Sequence, residues 1–207
     1  MATQNTAARP PVIRLAVSQR DFTRLRIRDA ARELFYASDY ASVTMDQIAR
    51  AAGLRRPTVY LHFRDKTEIF LDIIADYTPR ASAMMTRIPG PIPTVKQIDR
   101  WFGQVVKFVD RERAPLPAML AVRQKTREFS SLRLLSVNMI VGFAQSIPAF
   151  EKALHPRGVA HAHAHMLILQ LTFACNVILF GADRAFGSAL RRVVVEAFAA
   201  FILNNSD

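Results

Sequence analysis

Apolar residues recur along the chain with the spacing of α-helices. In the first block they occupy one face of a predicted helix at three- and four-residue intervals, at Ile27, Ala30, Ala31, Leu34 and Phe35. This spacing predicts an amphipathic helix from about Thr23 to Ala37. No convincing alternating strand pattern or Asn-Gly hairpin signal is present in the sequence. The pattern therefore predicts an all-α fold.

The next block carries the start and stop signals of a short helix. Thr44 is followed three residues later by Gln47, which makes a capping box. Val43 and Ile48 flank this cap as a hydrophobic staple. Gly53 supplies the left-handed residue that ends the helix after about two turns.

A second short helix is predicted directly after Gly53. Pro57 suits its first turn, where a missing N–H breaks no intrahelical bond. Val59 and Phe63, four residues apart, are expected to face inward, and two short helices that meet at a tight turn form a helix-turn-helix. A longer helix is predicted from about Lys66 to Ile88, with a buried stripe of Ile69, Phe70, Ile73, Ile74 and Tyr77.

Proline- and glycine-rich segments divide the rest of the chain into further helical blocks. We expect these helices at about 94–112, 116–127, 130–154, 159–184 and 188–204. The predicted organisation is a flexible basic arm at 1–20, a helix-turn-helix domain at 21–66, a connecting helix and linker at 67–92, and a larger helical domain at 93–207.

The charge is strongly positive and is concentrated near the N-terminus. The 207 residues contain 28 Lys and Arg against 17 Asp and Glu, a net charge of +11. Residues 1–66 hold 12 basic and 6 acidic side chains, so they contribute +6 of this excess. Such a balance is typical of proteins that bind phosphates or an anionic surface. The arm, with Arg9, Arg14 and Arg20, either reaches into a DNA minor groove or is simply a disordered extension.

Two arginines stand where a helix is itself positive. Arg55 and Arg56 begin the second short helix, and cations are disfavoured at helix N-termini. We therefore expect that they lack a good internal partner and that their partner is DNA. Guanidinium groups suit phosphates and the O6/N7 edge of guanine.

Neighbouring residues of the same segment complete a predicted DNA-binding surface. Thr58, Tyr60 and His62 can donate hydrogen bonds to phosphate oxygens. Leu61 or Pro57 can contact a thymine methyl group. Lys66, at the start of the long helix, is expected beside the DNA backbone, and Thr44 is included in the same surface.

The segment TMDQIARAAGLRRPTVYLHFRDKTEIF resembles the DNA-binding signature of TetR-family transcriptional regulators. The family pattern is met by Thr44, Ile48-Ala49, Ala52-Gly53, Thr58-Val59-Tyr60, Phe63 and Lys66. The similarity covers about residues 23–75. One departure is Arg55, which stands where the family usually has a small N-cap residue such as serine.

The resemblance implies that the larger helical domain binds a small-molecule effector and forms a homodimer. The last two predicted helices are apolar on more than one face, which favours a dimer interface there. A dimer would read a palindromic operator, and family tendency favours a repressor. The candidate effector-binding residues are apolar, for each of which core packing is the competing interpretation, and they are Trp101, Phe102, Phe108, Met119, Met139 and Phe143.

The sequence contains little that indicates a metal site, a cofactor or an enzyme. In HAHAH at 161–165, only His161 and His165 share a helical face, and no Cys or third ligand completes a site. We therefore expect no metal and no cofactor. No phosphate-binding glycine loop or nucleophile motif is found, so an enzyme is the weaker alternative, as is a non-specific architectural DNA-binding protein.

The expected location is the cytoplasm. The chain has one cysteine, Cys175, in apolar surroundings, which suits a reducing compartment. The N-terminal segment lacks the apolar core of a signal peptide. The most apolar stretch, at 166–180, is shorter than the roughly twenty residues of a membrane span, and we interpret it as a buried helix.

Overall fold

The computed structural model describes residues 18–116, 118–119 and 129–206, and within these ranges the chain is helical without β-strands. The predicted all-α fold is confirmed. The α-helices are α1 (Gln19–Ala37), α2 (Met45–Ala51), α3 (Arg56–Tyr60), α4 (Lys66–Met85), α5 (Val95–Arg111), α6 (Phe129–Ala144), α7 (Val159–Phe180) and α8 (Arg184–Asn204). Two single-turn 3₁₀ helices, Pro148–Phe150 and Lys152–Leu154, lie between α6 and α7.

The first helix begins earlier than predicted. Ser18 is its N-cap, and the Ser18 side chain accepts a hydrogen bond from the backbone N–H of Asp21. The helix therefore includes Arg20, which the sequence analysis had assigned to the basic arm. Residues 1–17 of the predicted arm lie outside the described residues.

The predicted boundaries of the C-terminal helices needed correction. The helix predicted at 130–154 ends at Ala144, before two 3₁₀ turns, the first of which starts at Pro148, where a backbone donor is missing. Gly181 caps the end of α7, and the Asp183 side chain accepts a hydrogen bond from Phe186 N–H at the start of α8. Gly187 consequently lies inside α8 rather than before it. Of the helix predicted at 116–127, residues 117 and 120–127 lie outside the described residues.

The N-terminal core joins α1, α2 and α3 to α4. The buried residues of α1 are Ile27, Ala31 and Phe35, on the predicted face. The aromatic ring of Phe35 lies 6.0 Å from that of Phe70 on α4, edge to face. The predicted stripe of α4 is confirmed as buried along its whole length. These contacts fix the helix-turn-helix on the end of the long helix.

An aromatic cluster forms the core of the C-terminal half. The ring of Phe143 on α6 lies 5.6 Å from Trp101 on α5, 5.6 Å from Phe198 on α8 and 4.7 Å from Phe150. Phe150 in turn lies 4.7 Å from Phe201. Four separate elements therefore meet around one group of rings, which stabilises their relative positions.

Helix α7 is apolar on both its inner and its outer face. It packs against α5, α6 and α8 and buries Cys175, whose thiol pKa is raised by burial to about 12. Met166 and Phe173 on the opposite face are about half exposed. By length and composition alone α7 could also cross a membrane, and 33% of its most apolar window is buried. The prediction of a buried helix therefore holds for one face only.

An ion-pair network connects α1 to α4. Asp76 on α4 lies 3.4 Å from Arg28 and 3.2 Å from Arg32 on α1, and 2.9 Å from Arg80. Burial alone would raise the pKa of Asp76, but the hydrogen bond from Arg80 and the charges of the three arginines outweigh it and lower that pKa. The carboxylate therefore stabilises the junction in its charged form.

We expect Asp76→Asn to lower the free energy of unfolding by about 2 kcal/mol at pH 7, because three partly buried arginines lose their carboxylate. A depressed folded-state pKa means that the charge contributes fully above the ordinary Asp pKa and is lost as the pH falls towards the folded value. Urea unfolding from pH 7 down to pH 3 should show the difference from wild type shrinking. The control is Asp29→Asn, an exposed carboxylate 3.5 Å from Arg32; a difference for Asp76→Asn that does not vary with pH would contradict the electrostatic explanation.

Candidate nucleic-acid interface

The turn between α2 and α3 is built from local signals. Gln47 N–H donates to Thr44 Oγ1 at 3.2 Å, and Thr44 N–H donates to Gln47 Oε1 at 2.7 Å. The predicted capping box is thus confirmed. Gly53 has a φ of +64°, as expected for a left-handed residue at the end of α2. Two helices consequently meet within a few residues.

Helix α3 is held by two side chains and presents the others outward. Val59 and Phe63 are fully buried, which confirms their predicted inward orientation. Tyr60 is 43% exposed and Leu61 is 76% exposed. Thr58 and His62 are partly exposed, and Pro57 is exposed in the first turn. The residues predicted to contact DNA therefore share one accessible segment.

The two arginines of α3 differ in their surroundings. Arg55 is the N-cap residue, makes no capping hydrogen bond, and has no side-chain partner among the described residues. The expectation that Arg56 also lacks a partner is wrong. Its guanidinium lies 3.0 Å from Asp46 and 5.5 Å from the centre of the Tyr60 ring. The hydrogen bond to Tyr60 and the charge of Asp46 raise the pKa of Arg56.

The Arg56–Asp46 pair spans the turn between the two short helices. Both side chains are more than half exposed, so their charges remain hydrated and the contact is readily exchanged for another partner. In the free protein Asp46 therefore holds the guanidinium over Tyr60, in a position determined by α2 and α3 together.

Lys66 is held by the turn before α2. Its ammonium donates to the carbonyl oxygens of Tyr40, Ala41 and Val43 at 2.7, 3.1 and 2.7 Å. An ammonium has three N–H donors, and these contacts occupy all of them. Lys66 therefore ties α4 to the loop preceding Thr44, and its expected position beside the DNA backbone stays a prediction.

Two arginines of α1 position the helix-turn-helix and were missed by sequence reasoning. Arg24 lies 4.0 Å from the centre of the Phe63 ring, donates to the His62 carbonyl at 2.9 Å and forms an ion pair with Asp72 at 2.7 Å. Arg26 donates to the Ala52 carbonyl at 2.6 Å. The contacts of Arg24 and Arg26 all join residues far apart in sequence, so no local signal indicates them.

The neighbouring charges also affect His62. Burial lowers the pKa of its imidazole, and the positive charges of Arg20 and Arg24 lower it further. The ring is therefore neutral near pH 7 and can donate one hydrogen bond without carrying a charge.

The structure places the predicted effector-binding residues in the interior, and their role in binding an effector stays a prediction. All six are buried, and the ring of Phe108 lies 5.9 Å from that of Tyr77. A cavity of about 250 Å³ lies between the end of α7 and the start of α8, lined by residues that include Ile178, Asp183 and Arg191.

Comparison with known proteins agrees with this geometry. The family model "Bacterial regulatory proteins, tetR family" matches residues 27–73, which run from α1 into α4. Residues 27–73 thus carry the DNA-binding domain of the TetR family. The match contains the capping box, the glycine turn and all of α3.

The curated relatives match over part of this chain. The HTH-type transcriptional regulator SrpR of Pseudomonas putida is 40% identical over 74 residues, which is 32% of this chain and 35% of SrpR. The uncharacterized HTH-type transcriptional regulator TtgW, also of Pseudomonas putida, is 45% identical over 65 residues, 28% of this chain and 48% of TtgW. The matches thus span between a third and a half of these relatives' own lengths.

The TetR-family fold extends over nearly the whole chain. A tetR-family transcriptional regulator from Streptomyces coelicolor superimposes with a TM-score of 0.63 at 19% identity, over 90% of this chain and 82% of that structure. Salmonella enterica GusR superimposes with a TM-score of 0.59 at 18% identity, over 87% of this chain and 97% of GusR. At these identities the similarity concerns the fold alone.

Proposed function

We propose that this protein is a homodimeric transcriptional repressor of the cytoplasm that binds a palindromic DNA operator and is released from it by a small effector. The observation that carries the proposal is α3 with the turn that follows it, where buried Val59 and Phe63 leave a polar, basic segment exposed on the other side. In a helix-turn-helix the second helix enters the major groove, and its first residues approach the bases.

The roles of the DNA-contacting residues follow from their positions. Arg55, with no internal partner, is assigned to a phosphate or a guanine, and Arg56 to a base edge after release from Asp46. Thr58, Tyr60 and His62 donate to phosphates, and Leu61 and Pro57 contact a thymine methyl group. Thr44 and Lys66 act mainly through the structure, as the cap of α2 and the anchor of its preceding loop.

The outer faces of α7 and α8 support the homodimer. Large apolar side chains are exposed along both helices, at Met166, Phe173, Phe180, Phe186, Val193 and Leu203. Exposed apolar area of this extent is costly in an isolated monomer and is typical of an interface. A two-fold pairing of these faces would present two α3 helices to half-sites about 34 Å apart.

The effector is proposed to be apolar or aromatic, because the middle helices supply apolar and aromatic side chains. The six candidate residues are all buried. An effector that favours a dimer with different α3 spacing weakens DNA binding by reciprocal coupling, commonly by about 1–3 kcal/mol.

The decisive experiment selects bound fragments from a random DNA pool at near-physiological salt and titrates the selected sequence against scrambled DNA. We expect a palindromic sequence with a large affinity ratio over the scrambled control. Uniform, strongly salt-dependent binding without an enriched motif would instead favour an architectural protein. Absence of any DNA binding would contradict the proposed function.

We expect Arg56→Ala to weaken operator binding by about 1–3 kcal/mol and to relax the preference at one base pair of each half-site. Binding measured on a panel of single-base operator variants tests this. Arg157→Ala, which removes the same charge from an exposed loop before α7, is the matched control and should leave the base preferences unchanged. An equal loss on every DNA sequence would refute the base-reading role of Arg56.

A further inference from the structure

Two histidines on the first turns of α7 direct ring nitrogens at one another. His161 Nε2 and His165 Nε2 are 2.9 Å apart. The ring centroids are only 4.5 Å apart and the ring planes are inclined by 75°, so the rings meet at an angle and not end to end. The two nitrogens therefore converge on a common region beside the helix.

A backbone carbonyl fixes which nitrogen of His161 is available. His161 Nδ1 lies 2.6 Å from the carbonyl oxygen of Ala153, in the second 3₁₀ helix. Because a carbonyl oxygen can only accept, Nδ1 carries the hydrogen, and Nε2 of the neutral ring keeps its lone pair. A carbonyl partner of this kind commonly orients a metal-binding histidine and sets its tautomer.

The distance between the two Nε2 atoms suits two adjacent ligands of one metal ion. Imidazole nitrogens bind divalent transition metals at about 2.0–2.1 Å, and two such nitrogens at a right angle around the ion are about 2.9 Å apart. Right-angled positions are typical of tetragonal Cu²⁺ and octahedral Ni²⁺. The distance between the two nitrogens thus needs little change when an ion replaces the shared hydrogen, which leaves His165 Nε2 for solvent or for the other nitrogen of that ring.

We propose that His161 and His165 form a two-imidazole site for a divalent transition metal, with water completing the coordination. Cu²⁺ should bind more tightly than Ni²⁺ or Zn²⁺, following the general order of affinities for nitrogen ligands. In the described part of the chain no group of three or more His, Cys, Asp and Glu is placed to hold a metal. Within the described residues the site therefore has two protein ligands, and it does not depend on the proposed DNA binding.

His163 offers a matched control on the same helix. Its ring packs edge to face against Phe201, with centroids 5.1 Å apart, so it lies away from the other two rings. His163→Gln removes one imidazole from the same stretch of α7 but leaves the pair intact.

The test titrates CuCl₂ into untagged full-length protein that has been freed of metal, using calorimetry with glycine as a weak competitor. Wild type and His163→Gln should bind one Cu²⁺ per chain with equal affinity. His161→Gln and His165→Gln should each weaken that binding by about tenfold or more. Electron paramagnetic resonance of the wild-type complex should show coupling to two imidazole nitrogens.

The His165→Gln variant distinguishes an effect on metal binding from an effect on folding, because it leaves the hydrogen bond from His161 to Ala153 in place. Its melting temperature in EDTA is compared with that of wild type. Equal Cu²⁺ affinity in wild type and the His161→Gln/His165→Gln double variant would overturn the proposal. So would a wild-type resonance spectrum with fewer than two imidazole nitrogens, which needs no variant at all.

Discussion

Replacing Phe173 with glutamate is expected to convert the proposed homodimer to a monomer and to weaken operator binding by about 10²–10⁴-fold, because two half-sites are then no longer bound by one linked pair of α3 helices. Phe173 is 45% exposed on the apolar face of α7. A carboxylate there would be buried without a partner in the dimer. Sedimentation velocity and operator titration of the same sample measure both effects.

The control for this substitution is Leu154→Glu. Leu154 is 46% exposed, almost the same as Phe173, but it lies at the end of a 3₁₀ helix and not on the outer faces of α7 and α8. The Leu154→Glu substitution should leave the mass in sedimentation velocity and the operator affinity unchanged. A Phe173→Glu protein that remains dimeric with full affinity would place the interface elsewhere.

The second large effect is expected from Phe143→Ala. The Phe143 ring is fully buried and touches the rings of Trp101, Phe150 and Phe198. Removing it should lower the free energy of unfolding by about 3–5 kcal/mol, since neighbours from separate elements cannot all close the cavity. Urea unfolding monitored by circular dichroism measures the change.

Val141→Ala provides the comparison for Phe143→Ala, because Val141 lies on the same helix but is exposed. The Val141→Ala substitution should change the free energy of unfolding by no more than about 0.5 kcal/mol. A loss below about 1 kcal/mol for Phe143→Ala would contradict tight packing. It would instead favour the predicted role of Phe143 in binding an effector.

The helix-turn-helix was predictable because its signals are local. The capping box of Thr44 and Gln47, the left-handed Gly53 and the early Pro57 all act within a few residues. The contacts that position it were not predictable. Arg24 reaches His62 across 38 positions, and Lys66 reaches Val43 across 23. Such contacts depend on the arrangement of helices, which the local pattern does not specify.

The errors in the C-terminal half have a related cause. Gly187 was interpreted as a helix break, but within α8 it lies against Ile178 of α7. Packing between the two helices therefore outweighs the low helix propensity of glycine. Similarly, the partner of Arg56 is Asp46, which lies on a different helix, ten residues earlier, so no local pattern indicates the contact. The direction of each side chain, once α2 and α3 meet, decides that contact.

The burial of Cys175 makes the protein well suited to site-directed labelling. The chain has a single cysteine, and a buried thiol with a raised pKa reacts slowly with maleimides or methanethiosulfonates. A cysteine introduced at an exposed position, such as Leu61→Cys, would therefore be the principal reactive thiol of each chain without any need to remove the native one. Nitroxide labels there would report the distance between the two α3 helices of a dimer directly, with and without a candidate effector.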